Sequence, residues 1–311
     1  MSGRNPTGAS ARAPEARLAA QAPAEARPLR AFVWMWGAIA SFSLMAVAGR
    51  EAQAVLHSFE LMAWRSAIGL VIVAVVIATT TRGFAQIRTR RPGLHLQRNI
   101  LHFMGQNAWF WALTMIPLAQ LFALEFTSPI WVALLASVLL GEALTRRRLL
   151  AVGLGFLGLL IVARPGLEPL NLGHAAALLA ALGFACNTIW TKRIMAYDSV
   201  LCVLFWMSAL QMVFGLVISA PLGMTWPPLT IWPWVVLTAL TGLTAHYSLT
   251  SALSLAPAGI VAPMEFLRLP MIALVGAMFY GEPLVIWVLV GALVILAGNL
   301  INLTAPRGER G

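Results

Sequence analysis

From Ala31 onward the chain alternates apolar runs of about 18–24 residues with short polar connectors. At 1.5 Å of rise per residue, a helix of that length crosses about 30 Å of hydrocarbon. The pattern predicts spans at roughly 31–49, 58–80, 99–116, 118–140, 149–165, 173–191, 198–220, 230–256, 258–280 and 285–303. Two connectors shrink to Ile116-Pro117-Leu118 and Ala256-Pro257-Ala258. A proline there has no amide N–H to continue the ladder, so the chain turns from one helix into the next. The expected fold is an all-α integral membrane protein of ten transmembrane helices. Residues 1–30 are rich in Ala, Pro and Arg without an apolar period and read as a disordered basic tail. The first apolar run lacks a small-residue cleavage site and is expected to be retained as a span. Residues 304–311 form a second short tail.

Composition sharpens this picture. The 311 residues are 60% hydrophobic and 10% charged, with a mean hydropathy of +0.82, whereas soluble domains carry about a quarter charged residues. The net charge is +10, which by itself would suggest an acidic partner. The positions of the charges suggest otherwise. Arginines cluster in the tail, in the 81–98 connector (Arg82, Arg88, Arg90, Arg91, Arg98), at Arg146–Arg148 and at Arg307 and Arg310, with Lys192 and Arg193 between. In a ten-span chain all of these fall on one side, while Arg50 and Arg164 fall on the other. The positive-inside rule then places both termini in the cytoplasm. No nucleic-acid partner is expected, and membrane lipid is the surface the charges address. Lys192 is the sole lysine, so there is no phosphate-binding loop ending in Gly-Lys. Cys186 and Cys202 lie in apolar runs and read as packing thiols. Neither a metal site nor a cofactor is expected.

The chain also resembles itself at an offset of 140. Pro117 to Glu142 aligns without gaps on Pro257 to Glu282, with Glu125/Glu265, Phe126/Phe266 and Gly141-Glu142/Gly281-Glu282 among the identities. A shift of two matches Trp64, Ser66 and Ala67 to Trp206, Ser208 and Ala209. Each repeat holds five helices, so the second half enters the membrane from the opposite face. The expected divisions are residues 31–165 and 173–303. Inverted repeats are the signature of alternating-access transporters, which hold substrate near the midplane between the halves.

Gly141-Glu142-Ala-Leu-Thr145 with small residues to Gly158, Ala112-Leu113…Pro117, and Gly281-Glu282…Gly291…Gly298 together resemble the end-of-repeat pattern of EamA-type transporters of the drug/metabolite transporter superfamily. The likeness covers about residues 31–303. It departs at Val285-Ile286-Trp287, where polar residues follow Gly-Glu in the first repeat. The resemblance implies ten helices, cytoplasmic termini, and secondary transport of amino acids, metabolites or drugs across the bacterial inner membrane.

Ionisable groups at mid-membrane cost roughly 2.5–3.5 kcal/mol on insertion scales, so they face a cavity or a partner. Arg65, Glu125, Glu265 and Arg268 qualify, with His246 at a similar depth to Arg268; Glu60 lies near a helix end. Depth along the helices pairs Arg65 with Glu125, and groups Glu265, Arg268 and His246. Arginine would anchor a substrate carboxylate or phosphate, and Glu125, Glu265 or His246 would take up protons for coupling. Pro129 and Pro270 follow the glutamates and are expected to kink their helices. Gln106, Asn107 and Tyr247 add polar groups, and Trp109 belongs to a deep aromatic set with Trp64, Trp111, Trp131 and Trp206. Small residues at Ala151, Gly155, Gly158, Gly291 and Gly298 suit close helix packing, within the chain or in a homodimer. No nucleophile–base or zinc-ligand motif is present, and no catalytic residue is assigned. A secondary transporter of a small-molecule substrate is the leading reading, with a membrane-embedded enzyme or a non-transporting scaffold as the alternatives.

Overall fold

The computed structural model describes residues 28–140, 146–164, 169–195, 197–255, 264 and 267–303. Among them all regular structure is helical. The first half supplies α1 (Pro28–Ala52), α2 (Ser58–Thr79), α3 (Pro92–Leu113), α4 (Leu118–Glu125), α5 (Ser128–Leu140) and α6 (Arg146–Ala163). The second supplies α7 (Leu172–Ile194), α8 (Val200–Ser219), α9 (Trp232–Leu255), α10 (Arg268–Tyr280) and α11 (Ile286–Leu303). The sequence offset reappears in the helix bounds. Ser128–Leu140 and Arg146–Ala163, moved by 140, land on Arg268–Tyr280 and Ile286–Leu303.

Two boundaries differ from expectation in ways that matter. Helix α3 starts at Pro92, well before position 99, because a proline at the first helical turn loses no ladder bond and presets the backbone angle. His95 and Arg98 are therefore helical and buried, and Arg98 is not the loop charge that the connector pattern predicts. The span expected at 118–140 is broken after Glu125. Pro129 cannot donate to the Glu125 carbonyl four residues back, and the chain turns at Phe126-Thr127 before α5 begins. Pro129 thus sits in the first turn of a new helix rather than kinking a continuous one; Pro270 lies in the first turn of α10, and residues 265 and 266 just before that helix are outside the described residues. Asn299 of α11 donates to the Phe126 carbonyl at 3.2 Å, satisfying a group at the break.

The helices pair across the two halves. Helix α1 packs along α9 and α3 along α7, while α2 packs on α8 and α6 on α11. Exchanging the halves converts the first pair into the second and returns the other two to themselves, which is a pseudo-two-fold arrangement. Glycine lets the backbones meet. A Cβ on Gly183 would stand 2.7 Å from Gly105 Cα, and one on Gly291 would stand 2.7 Å from the Gly158 carbonyl. The small-residue stripes of α6 and α11 are therefore used against each other inside the chain. Val71, Val75, Leu160, Val217, Met278 and Leu293 are more than half exposed on the exterior. A surface this apolar suits lipid, and α1, α2, α7 and α8 are long and apolar enough to cross it. The protein is an all-α multi-pass membrane protein built from two inverted five-helix repeats.

Candidate functional site

The break between α4 and α5 sets the first polar centre. Glu125, at the end of α4, accepts from Arg268 Nη2 at 2.7 Å and from Trp109 Nε1 at 2.8 Å. Arg268 opens α10, so this ion pair joins the two repeats. Three rings surround the guanidinium, Phe122 at 4.7 Å, Phe42 at 4.8 Å and Phe126 at 5.1 Å, each presenting its negative face to the cation. The pairing expected from depth, Glu125 with Arg65, does not form; Glu125 takes the arginine of the other repeat. Depth along a helix axis says nothing about azimuth, and the crossing of α4 with α10 decides it.

The second centre surrounds Arg65 on α2. With its amide oxygen turned toward Arg65, Gln106 accepts from both terminal guanidinium nitrogens at 3.1 and 3.2 Å and donates to Gln211 Oε1 at 3.0 Å. Arg65 also lies over the Phe110 ring at 5.4 Å. On α3 the residues Arg98, His102 and Gln106 recur every four positions and form one polar stripe along a helix face. Arg98 donates to Thr191 Oγ1 of α7 at 3.0 Å and to Asn99 Oδ1 at 3.1 Å. His246 joins this group rather than Arg268: its ring stands edge-on to His102 at 5.8 Å and to Phe42 at 5.6 Å. Phe42, touching both Arg268 and His246, separates the two centres. Sequence reasoning missed Arg98, His102 and Gln211; the four-residue period of polar groups in an apolar helix was the available signal for the first two.

A third cluster fastens one end of the bundle. Gly281 ends α10 at φ 62°, a left-handed conformation that glycine adopts freely. The next amide, of Glu282, donates back to the Gly276 carbonyl at 3.1 Å. This turn presents the Glu282 carboxylate to Arg50 of α1, with which it pairs, and to the Leu118 amide that opens α4, at 2.8 Å. Arg50 also donates to the Leu113 and Ile116 carbonyls at 2.9 and 3.0 Å, and Tyr280 donates to Glu51 at 2.9 Å. The second Gly-Glu motif thus ties the two repeats together at one end of the bundle.

Other expected site residues are placed elsewhere. Asn107 donates to the Phe103 carbonyl of its own helix at 2.8 Å. Tyr247 is half exposed against Trp34. Glu265 lies outside the described residues, as do Gly141 and Glu142. The tryptophans do not form one wall: Trp64 meets Trp226 and Trp232, whereas Trp206 donates to the Ile87 carbonyl. Glu60 accepts from the amides of Thr225 and His57 at 2.6 and 2.8 Å, pinning a loop at the start of α2. Cys202, expected to be a quiet thiol, lies with His95 and Asp198 so that their ligand atoms fall within 4.8 Å of one another. His95 pairs with Asp198 at 2.8 Å, Thr89 donates to the same oxygen at 2.7 Å, and Cys202 donates to the Ile87 carbonyl at 3.7 Å.

Inverted helical pairing around buried, inter-repeat charges defines a two-repeat membrane protein of the transporter type of architecture. Residues 29–164 and 171–304 each match the EamA-like transporter family, and the chain belongs to that family. It is similar to the S-adenosylmethionine uptake transporter of Rickettsia felis, at 27% identity over 55% of this chain and 57% of that protein. It is also similar to the riboflavin transporter of Rhizobium johnstonii, at 28% identity over 70% of this chain and 72% of that protein. The matches to the Rickettsia felis protein and its Rickettsia counterparts span less than two thirds of those proteins' own lengths. A solved protein structure superposes with a TM-score of 0.61 at 17% identity, covering 88% of this chain and 96% of that one; the likeness is one of fold.

Proposed function

We propose that this protein is a secondary transporter that moves a small organic metabolite by alternating access between its two repeats. The observation that carries the reading is the Glu125–Arg268 pair, its arginine buried and its carboxylate 16% exposed, joining the repeats inside the bundle where the α4–α5 helix breaks. Ionisable groups within the hydrocarbon are expensive and mark solute or proton paths, and discontinuous helices are where transporters of this type hold their cargo. A proton on Glu125, or a solute group competing for Arg268, would undo this bridge and free the repeats to rock. The latch of Arg50 and Glu282 holds one mouth shut meanwhile. Glu265, the repeat counterpart of Glu125, belongs to the same path. Family membership supports transport over a membrane-embedded enzyme. The relatives' named cargoes, S-adenosylmethionine and riboflavin, supply the first solutes to try. The distribution of arginines supports a bacterial inner-membrane setting with both termini cytoplasmic, and the repeat divisions fall at 31–165 and 173–303.

The test is uptake into proteoliposomes of labelled S-adenosylmethionine, riboflavin and a panel of amino acids, with and without a pH gradient. Native protein should accumulate at least one solute, and Glu125→Gln, Arg268→Gln and Glu265→Gln should each slow it at least tenfold. Native rates in all three variants would remove these residues from the path. Chemical conversion of a solute without accumulation would favour the enzyme.

A further inference from the structure

We infer that Arg65, Gln211 and the repeat-related serines Ser66 and Ser208 form the binding site for an anionic group, carboxylate or phosphate, of the transported solute. This rests on the transporter reading above and deepens it. This protein neutralises some arginines with its own carboxylates: Arg268 takes Glu125 inside the bundle and Arg50 takes Glu282 at one end of it. Arg65 is treated differently. It is as buried as Arg268, at 5% against 4% exposed. Yet its contacts are an amide oxygen, the Met45 sulfur at 3.9 Å and the face of Phe110. Among the described residues no carboxylate lies within 4.0 Å of it. Arg98 is in the same condition, held by a hydroxyl and an amide oxygen. Among the described residues neither guanidinium has a carboxylate to neutralise it, and an uncompensated positive charge is felt most strongly in a low-dielectric interior.

A second, independent observation points the same way. The Gln211 amide nitrogen is buried and has no acceptor among the described residues, a condition that costs free energy unless something fills it. Arg65 and Gln211 line one cleft together with Ser66, Ser208 and Gly242. The cleft runs between α2, α8 and α9, on the pseudo-two-fold seam where the repeats meet. Its polar walls are rich in hydrogen-bond donors, and among the described residues that line it none is acidic. In the present conformation it has space for about one water molecule, so the solute's headgroup enters as the repeats part. Met207, Ala239 and Leu243 complete the lining and would meet an apolar part of the same solute. A cation would be repelled here, and a neutral solute would leave Arg65 uncompensated.

The experiment uses two matched pairs in proteoliposomes, indole-3-acetate with indole-3-acetamide and flavin mononucleotide with riboflavin, beside the S-adenosylmethionine screen. Native protein should transport the anion of at least one pair, or be inhibited by it, at least tenfold better than its neutral partner. Arg65→Gln should reduce that preference to within about twofold, whereas Arg65→Lys keeps the charge and most of the preference. Size-exclusion profile and thermal unfolding establish that both variants are folded, and Gln211→Ala, which removes only the second donor, should weaken anion selection by a smaller factor. Equal handling of both members of each pair by native protein overturns the anion site and leaves the transporter reading intact. Preserved selectivity in folded Arg65→Gln does the same. Failure of native protein to accumulate or respond to any solute, the screen included, overturns both.

Discussion

Removing the Glu125 carboxylate alone should cost more than removing the whole ion pair. The Arg268 side chain is 4% exposed and its partner 16%, so Glu125→Ala leaves a guanidinium among aromatic rings with little water to take up its charge. Breaking a buried pair costs about 3–5 kcal/mol. The ring faces, worth about 0.5–2 kcal/mol to a desolvated cation, retain some of this, leaving a net loss of about 2–4 kcal/mol. Arg268→Met strands the carboxylate instead, although Trp109 still donates to it at 2.8 Å, and should fall in the lower part of that range. Glu125→Met with Arg268→Met removes both desolvation costs and keeps the volume, and should stay within about 1 kcal/mol of native. At roughly 2–4 °C per kcal/mol for a chain of this size, the Glu125→Ala protein should melt about 5–15 °C early and the double variant only a few degrees early. Tryptophan fluorescence during thermal unfolding in nanodiscs reads this directly. The double variant should nonetheless fail to transport, because its pair can no longer open and close. Additive losses, with the double variant as unstable as the sum of the singles, would show that the two side chains do not interact and would refute the bridge between the repeats.

Three further outcomes follow from the same contacts. Gly183→Val forces a branched side chain into the Gly105 backbone and should destabilise by at least about 1–3 kcal/mol, whereas Gly93→Ala, with nothing within 4 Å, should be neutral; expression and melting of the pair check this. Gln53 lies three residues beyond Arg50 and donates to the Phe110 carbonyl at 2.8 Å; Arg50→Ala should release the latch, so the thiol of Gln53→Cys should react with an aqueous maleimide several-fold faster than in the native background, and unchanged labelling would show that the cluster does not close that mouth. Reporter fusions after residues 85, 145, 170 and 225 should read in, in, out, out, and any other order breaks the inverted ten-helix arrangement.

The helices were legible because lipid imposes a one-dimensional rule: about twenty apolar residues make a span, and charge marks the ends. The repeat was legible because a shared Glu and a shared Gly-Glu do not recur by hydropathy alone. What hydropathy could not show was rotation about each helix axis. Arg65 and Glu125 lie at matched depth, yet the arginine that meets Glu125 is Arg268. Arg98 was hidden for a different reason. It lies six residues after the proline that opens α3, so hydropathy grouped it with the loop arginines although its side chain is buried. Pro129 was visible as a helix disrupter, but whether a proline bends a helix or begins one depends on the backbone before it. That is settled by the turn at Phe126-Thr127 and by Asn299, which comes from the far end of the chain.

The backbone contact between Gly158 and Gly291 has a consequence for how such a chain arises. Among the described residues the four principal helix pairs each take one member from each half, and the closest of them leave no room for even a methyl group. Neither half can complete its packing alone. A lone five-helix chain could build this fold only by inserting into the membrane in both orientations and associating with its own inverted copy. Joining the two copies in one polypeptide removes that need, and lets the once-identical halves diverge, so that only one α5/α10 position, that of Arg268 rather than Ser128, carries the arginine.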